Sequence, residues 1–318
     1  MNQFIVFSLL FLTLFIVNVG WYFVFSNYRE NRIIASSFGQ KNKDFLLNMG
    51  RRFKVTWFLF IILAIAFCFG YIGLTIFFML VSFLCLREFV SVIHLNRSDY
   101  WSLFVSFYIF LPIQYLFVLL DVPFLFYIFI PVYAFLLSPI ITMLSGDRRE
   151  FFERSSKFQW AQISCIYCLS YIPAIAGLEL NSGTFESSSL LLYFIVVLFM
   201  SDVFQYIGGH WIKGKKVAPR LSPNKTWNAM IIGILLSGII GFMLTPLTPF
   251  SPFASFLIAL IISLFGSLGR LVMSGIKRSL LIKDWSDLLG IQGGALDRVA
   301  SMLFAAPFFY HLCRYFYL

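Results

Sequence analysis

The chain has 318 residues, of which 60% are hydrophobic and 12% are charged, and its formal net charge is +10. Soluble domains contain roughly 45–50% apolar and about 25% charged residues, so the polar side chains here are too few to cover a soluble surface. The composition excludes a soluble protein and predicts an integral membrane protein. Its basic charge is expected at one membrane face, towards anionic lipid or a polyanionic substrate, and no nucleic-acid partner is expected.

Ten apolar runs follow one another along the chain, each close to the roughly 20 residues that a helix needs to cross a bilayer. Continuous runs such as FIVFSLLFLTLFIV, at 4–17, lack the alternation of a membrane β-barrel. The predicted fold is therefore all-α and polytopic, with about ten transmembrane helices. The predicted spans lie at about 3–26, 53–70, 72–93, 101–120, 122–144, 159–178, 188–209, 228–247, 252–275 and 299–318.

The positions of Lys and Arg predict which loops share a face. All 24 of these residues except Arg270 and Arg314 lie in the loops 27–55, 87–100, 145–158, 210–227 and 276–298. Short basic loops favour the cytoplasm, so we expect these loops on that side and both termini on the other. A re-entrant hairpin at 53–93 would keep the same parity and leaves eight full spans as an alternative.

The chain is expected in a bacterial plasma membrane, because its loops are short and it has no long soluble extension. We divide it into residues 1–158, transmembrane helices with basic cytoplasmic loops, and residues 159–318, a transmembrane domain of catalytic type. The division follows the distribution of polar motifs, which concentrate in the last third of the sequence.

Asp202 is the first of three polar features in that last third. It lies within the predicted span 188–209, about two turns before Gly209. An ionisable residue inside a membrane helix is energetically unfavourable, which makes Asp202 a functional candidate. A solvated helix end or a structural ion pair is the competing explanation.

The second feature is RLSPNKTW, residues 220–227. Ser222 or Asn224 is expected to cap the helix predicted at 228–247, with Lys225 and Thr226 at its start. A helix N-terminus with a lysine and hydroxyl groups nearby can bind phosphate. Basic residues before any helix would give the same pattern.

The third feature is the stretch SGIKRSLLIKDWSDLLGIQGGALDR, residues 274–298. Its glycines allow the backbone to approach a ligand closely, its carboxylates can hold Mg²⁺, and its cations can bind phosphate oxygens. The stretch therefore predicts a metal–phosphate site, although a basic cytoplasmic loop would also contain such charges.

Together, the three blocks resemble the signature of the phosphatidate cytidylyltransferases, or CDP-diacylglycerol synthases. SDVFQYIGG resembles the family's N-D-x-x-A-Y-x-x-G, and LSPNKTW resembles its S-P-K-K-T. The resemblance covers residues 195–318 well and the earlier helices only by their character. The pattern S-x-x-K-R-x4-K-D-x8-G-G-x-x-D-R reads here Ser274, Lys277, Arg278, Lys283, Asp284, Gly293, Gly294, Asp297 and Arg298.

The resemblance implies the joining of CTP and phosphatidate into CDP-diacylglycerol and pyrophosphate, with Mg²⁺ as cofactor. The metal ligands it implies are Asp202, Asp284 and Asp297. The catalytic residues it implies are Lys277, Arg278, Lys283, Asp284, Asp297 and Arg298. Substrate binding falls to Ser222, Lys225, Thr226, Arg270, Ser274, Gly293 and Gly294. A homodimer is left open.

Four departures from the family pattern bear on activity. Where the family has Gly-Asp before Ser274, this chain has Gly269-Arg270. A carboxylate after S-P-K-K-T is replaced at Asn228, the His before Gly-Gly is Gln292, and an Asp after Asp-Arg is Ala300.

These departures leave two interpretations. In the first, Arg270 pairs with Asp202 and stands in for a metal, and transfer continues with one Mg²⁺ held by Asp284 or Asp297. In the second, Arg270 only neutralises Asp202, and the protein binds anionic lipid or nucleotide without turnover. The first is favoured because the other charged motif residues persist. A transporter is disfavoured, because the charges cluster at one face.

Overall fold

The computed structural model describes residues 57–93, 96, 99–144, 150–178, 187–212, 214–290 and 293–317. These ranges hold nine helices and one 3₁₀ turn, Thr245–Leu247. The helices are α1 (Trp57–Cys68), α2 (Gly70–Val92), α3 (Tyr100–Leu119), α4 (Pro123–Leu144), α5 (151–176), α6 (Ser187–Trp211), α7 (Trp227–Met243), α8 (Pro252–Ser279) and α9 (Ala295–Tyr317).

Five of these helices, α2, α3, α4, α6 and α8, are long and apolar enough to cross a membrane, so the chain is a polytopic integral membrane protein. The apolar helix α7 has 17 residues and a length of about 26 Å, short of a hydrocarbon layer of about 30 Å. The described residues therefore hold fewer membrane-length helices than the ten predicted, and the first predicted span, 3–26, lies outside them. The division at residue 158 stays a prediction.

A short β-hairpin departs from the all-α prediction. Strand β1 (Lys216–Ala218) pairs antiparallel with β2 (Ser222–Thr226), between α6 and α7. The prediction that Ser222 or Asn224 caps the next helix was wrong, because both lie in β2. Thr226 keeps an extended backbone and its Oγ1 accepts a hydrogen bond from the Ala229 N–H at 3.4 Å, so α7 begins at Trp227.

Helices α3, α4 and α5 each contain a π-helical stretch and are joined by buried polar side chains. The stretches are Ser106–Phe110, Phe129–Ala134 and Ile163–Cys168. Next to them, the Gln162 amide Nε2 donates to the hydroxyls of Ser106 and Ser138, at 2.7 Å each. Such hydrogen bonds associate membrane helices, because lipid offers the polar groups no alternative partner.

Contacts at the two ends of the bundle agree with the predicted parity of the loops. Next to basic loops, Arg154 pairs with Asp99 at 2.8 Å. Next to loops without Lys or Arg, the Tyr71 hydroxyl donates to the Val118 carbonyl at 2.6 Å, and Ser189 donates to the Leu247 carbonyl at 2.8 Å. Residues flanking basic loops therefore meet at one end, here called the basic end. That this end faces the cytoplasm stays a prediction.

Candidate functional site

Five ionisable side chains from four elements meet at the basic end and are here called the charged cluster. Asp202 lies on α6, Lys225 on β2 and Asp297 in the first turn of α9. Arg270 and Lys277 lie on α8, and seven residues, about two turns, place them on the same helix face. The cluster therefore joins the three sequence blocks that were recognised separately.

Arg270 pairs with Asp202, as predicted. Its Nη2 lies 2.7 Å from Asp202 Oδ1 and also donates to Gln205 Oε1 at 3.0 Å. The other carboxylate oxygen of Asp202 accepts from the Ser301 hydroxyl at 3.1 Å. The Arg270 and Asp202 side chains are 20% and 29% exposed, so solvent reaches this partly buried pair.

The orientation of Gln205 is fixed by two serines. Its Nε2 donates to the Ser267 hydroxyl at 2.7 Å and to the Ser201 hydroxyl at 2.9 Å. Because both donors of the amide point to hydroxyls, its carbonyl oxygen faces Arg270. The Arg270 guanidinium thus donates to Asp202 and Gln205, and hydrogen bonds to serine hydroxyls fix the orientation of both acceptors.

Asp297 connects α8 to the Gly-Gly loop. Its Oδ1 lies 2.5 Å from Lys277 Nζ, and its Oδ2 accepts from the backbone N–H groups of Trp285 and Gly294 at 3.1 and 3.0 Å. A carboxylate in the first turn that reaches back to the residue before the helix satisfies N–H groups that the helix cannot. Gly293 has φ +76°, and a Cβ there would meet the Asp297 carboxylate. The loop therefore requires glycine at this position.

Glu88, which the sequence analysis missed, holds the same loop from the N-terminal half. This α2 residue is 6% exposed, and its carboxylate accepts from the Ser286 hydroxyl at 2.6 Å and from the Ala295 and Leu296 N–H groups at 2.8 Å. It thereby places negative charge at the N-terminus of α9. A Cβ on Gly294 would collide with this carboxylate. The available signal was an acid inside the predicted span 72–93.

Lys225 places an amino group without a hydrogen-bond partner in the charged cluster, as far as the described residues show. Its Nζ is buried. Burial, followed by repulsion from Arg270, lowers the pKa of Lys225 to about 7. Arg270 Nε is likewise buried without a hydrogen-bond partner in the described ranges. The cluster thus holds two buried cationic donors with unused hydrogen-bonding capacity, which an anionic ligand would satisfy.

The other predicted site residues lie around this cluster. Arg278, Lys283 and Asp284 are exposed and form a rim where α8 ends, whereas Arg298 is half-buried in the first turn of α9. The Ser274 hydroxyl donates to the Arg270 carbonyl of its own helix at 2.7 Å. Ser222 is half-buried on β2. The structure gives these positions, and the catalytic and binding roles stay predictions.

The carboxylates of the cluster are already engaged by protein donors. Each oxygen of Asp202 and Asp297 accepts from a side chain or from the backbone, and Asp284 is exposed on the rim. Among the described residues, no three His, Cys, Asp or Glu side chains are grouped closely enough to hold a metal ion. This arrangement does not fit a divalent ion held by the protein's own carboxylates, and Mg²⁺ binding stays a prediction.

Comparison with known proteins agrees with the motif blocks. The profile of the Cytidylyltransferase family matches residues 50–316. YnbB of Escherichia coli, described as an uncharacterized protein, is 34% identical over 246 residues, covering 75% of this chain and 78% of YnbB.

Two relatives are named phosphatidate cytidylyltransferase. That of Rickettsia bellii is 30% identical over 149 residues, which are 44% of this chain and 64% of that protein. That of Bacillus subtilis is 32% identical over 151 residues, which are 47% of this chain and 54% of that protein. This chain thus matches less than two thirds of the length of either enzyme.

Proposed function

The chain belongs to the cytidylyltransferase family, and from this premise we propose that it transfers the cytidylyl group of CTP to phosphatidate, giving CDP-diacylglycerol and pyrophosphate. The observation that carries the proposal is the charged cluster, in which Lys225 and Arg270 offer buried, unused donors at the end of the bundle. The reaction belongs to phospholipid biosynthesis, and we place it at the cytoplasmic side of a bacterial plasma membrane.

The proposed reaction is a substitution at the α-phosphorus of CTP, in which the lipid phosphate replaces pyrophosphate. A phosphate oxygen of the lipid forms a bond to the α-phosphorus of CTP. The bond from that phosphorus to the oxygen bridging the α- and β-phosphates breaks, and pyrophosphate leaves with this oxygen and its electron pair. Negative charge spreads over the phosphate oxygens as this happens. Fixed cations next to those oxygens, such as Lys225 and Arg270, stabilise the transition state electrostatically.

The position of the cluster suits one lipid and one soluble substrate. On α8, Leu264, Leu268 and Val272 form an exposed apolar stripe on a different face of the helix from Arg270, which is suited to contact with lipid. On the other side, the rim of Arg278, Lys283 and Asp284 is open to water, where a nucleotide can enter. The charged cluster therefore lies at the end of a helix that is suited to contact with lipid and next to a rim that is open to water.

A silent, ligand-binding paralogue is the second candidate. The observation that favours it is the neutralisation of Asp202 by Arg270, since a closed ion pair can persist after catalysis is lost. In that case the protein would bind CTP or phosphatidate without forming product.

The test is the formation of CDP-diacylglycerol from labelled CTP by purified protein in lipid nanodiscs that contain phosphatidate. Lys225→Met is the decisive variant, because it removes a charge that has no hydrogen-bond partner in the described structure. We expect turnover to fall about 100-fold, while the unfolding temperature stays unchanged or rises. The matched control is Arg220→Met, an exposed cation in the hairpin turn, which should keep turnover near that of the parent.

Product formation by the parent together with this loss in Lys225→Met would support the transferase. Binding of CTP or phosphatidate by a parent that forms no product would favour the silent paralogue instead. A fully active Lys225→Met would contradict the assignment of this lysine to the site.

A further inference from the structure

Two departures from the family pattern contact each other. Arg270 stands where the family has Asp, and Gln205 stands where N-D-x-x-A-Y has Ala. Across α6 and α8, Arg270 Nη2 donates to Gln205 Oε1 at 3.0 Å. An alanine at 205 could not accept this bond. Gln205 thus supplies an acceptor that the guanidinium of Arg270 uses.

The surrounding network holds the guanidinium in one place. Asp202 and Gln205 both accept from Nη2 of Arg270. Ser301 fixes the carboxylate, and Ser201 and Ser267 fix the amide. A cation that is held in advance loses little conformational freedom when it binds an anion. The buried Nε of Arg270, which lacks a hydrogen-bond partner among the described residues, remains available for that anion.

The charge of the cluster points to the same ligand class. Its three cations, Lys225, Arg270 and Lys277, face two carboxylates, each of which already has a cationic partner. A divalent metal would meet surplus positive charge and engaged carboxylates. A phosphate group would meet two unused donors and the surplus charge.

We propose that Arg270 is a built-in cation that takes the place of a protein-held divalent metal, so that Arg270 and Lys225 bind a phosphate group of the substrate directly. The proposal deepens the proposed function and rests on it only for the identity of the phosphate. That phosphate belongs either to the triphosphate of CTP or to the headgroup of phosphatidate. The chemistry recognised is the same, and two arms of the experiment distinguish the sources.

The experiment measures binding with and without divalent ions. The full chain, in phosphatidylcholine nanodiscs, is titrated calorimetrically with CTP in one arm and with dioctanoyl phosphatidate in the other, each in EDTA and in Mg²⁺. We expect at least one ligand to bind in EDTA within about threefold of its affinity in Mg²⁺. Arg270→Met should weaken that binding about tenfold or more, because a charge-assisted hydrogen bond is lost. Arg220→Met, with the same change of charge at an exposed position, should not weaken it.

A second variant distinguishes the loss of a binding group from the loss of the fold. Arg270→Met leaves Asp202 without its cation, so the double variant Arg270→Met/Asp202→Asn removes both charges of the pair. It should fold and still lose binding in EDTA. Binding by the parent only in Mg²⁺, no binding of either ligand, or full binding in EDTA by either variant would each overturn the proposal.

The outcomes for this proposal and for the proposed function are separable. Turnover by a parent that binds nothing in EDTA overturns the built-in cation and leaves the transferase intact. Binding in EDTA by a parent without turnover supports the built-in cation and removes the transferase.

Discussion

The two halves of the molecule each contain an Arg–Asp ion pair, and the two pairs differ in burial. Arg154 Nη1 contacts both oxygens of Asp99, at 2.9 and 2.8 Å, and the Asn96 N–H adds a third bond to that carboxylate. The side chains of this pair are only 4% and 5% exposed. The Arg270 and Asp202 side chains, by contrast, are 20% and 29% exposed.

The difference shows that the residue types of an ion pair do not decide its role. The Asp99–Arg154 pair excludes solvent and joins the start of α3 to α5, so its role is to fix the packing of those helices. The Asp202–Arg270 pair admits solvent and lies beside Lys225, whose buried Nζ has no hydrogen-bond partner among the described residues. A site for a ligand needs this unused capacity, whereas a structural connection does not.

The largest expected effect is the loss of protein stability when the buried Asp99–Arg154 pair is broken. Arg154→Met leaves a buried Asp99 carboxylate without its cation, which should destabilise the protein by about 3–5 kcal/mol. Lys157→Met, on the same helix, breaks only an exposed pair with Glu153 and should change stability little. Thermal unfolding in detergent measures both. Equal effects of the two variants would show that the Asp99–Arg154 pair is no structural connection.

Glu88→Gln tests the link between the two halves. The amide keeps the shape of the side chain, but only its oxygen can accept a hydrogen bond, because its other terminal atom is an NH2 donor. Ser286, Ala295 and Leu296 all donate to the two carboxylate oxygens of Glu88. We expect a loss of about 2 kcal/mol in stability and faster hydrogen exchange at the first amides of α9. Glu153→Gln, at an exposed position, is the control. Unchanged exchange at Ala295 and Leu296 would contradict a positioning role for Glu88.

The pH dependence of anion binding tests the role of Lys225, which lies beside the solvent-accessible Asp202–Arg270 pair. Because the pKa of Lys225 is lowered to about 7, the lysine loses its charge between pH 6 and pH 8, and CTP affinity should fall about tenfold over that range. Lys225→Arg stays charged and should not show this fall. Calorimetric titration of both proteins at each pH separates the effect of the lysine charge from the ionisation of CTP, because CTP ionises in the same way with either protein. The same dependence of CTP affinity on pH in the parent and in Lys225→Arg would show that Lys225 is not part of the anion site.

The same lysine predicts the sign of a stability change. Its pKa is about 7 in the folded chain and 10.5 for the unperturbed group, so the unfolded chain binds more protons between these values. The free energy of unfolding should therefore rise with pH from about 7 to about 10. Below pH 7 the folded state must bury a charge that the unfolded state leaves in water. Lys225→Met should flatten this rise, as urea or thermal unfolding across the range would show.

The smallest expected effect concerns the start of α7. Thr226→Ala removes the capping hydrogen bond to Ala229 and should destabilise the protein by about 0.5–1 kcal/mol. Ser222→Ala, four residues earlier on β2, should be neutral. The reverse order, measured by thermal unfolding, would restore the sequence-based assignment of the cap to Ser222.

Much of the C-terminal half could be predicted because its charges stand out against apolar helices. The Asp202–Arg270 pair was expected, since two opposite charges inside neighbouring membrane helices are stabilised by meeting. The contact of Glu88 with Leu296 was not, because it joins residues 208 positions apart and nothing in a single sequence reports which helices are neighbours.

The hairpin was not predicted, and the described residues hold fewer helices that meet both the length and the hydropathy of a membrane span than the ten predicted; both differences have local reasons. Strand β2 contains SPNKT, whose Pro and Asn disfavour a strand, so its extended conformation depends on tertiary contacts such as the pairing with β1. The count of ten treated every apolar run as a span, including the run that forms the 17-residue α7. Run length reports hydrophobicity, but the helix boundaries depend on caps and loops that hydrophobicity does not encode.

The most direct test of the built-in cation reverses both departures at once. The double variant Arg270→Asp/Gln205→Ala restores the carboxylate and the small residue of the family pattern, and its CTP affinity is titrated against Mg²⁺ beside the parent. We expect the parent affinity to be nearly independent of Mg²⁺ and the double variant to bind CTP only when Mg²⁺ is supplied. If parent and double variant show the same dependence on Mg²⁺, Arg270 does not replace a metal.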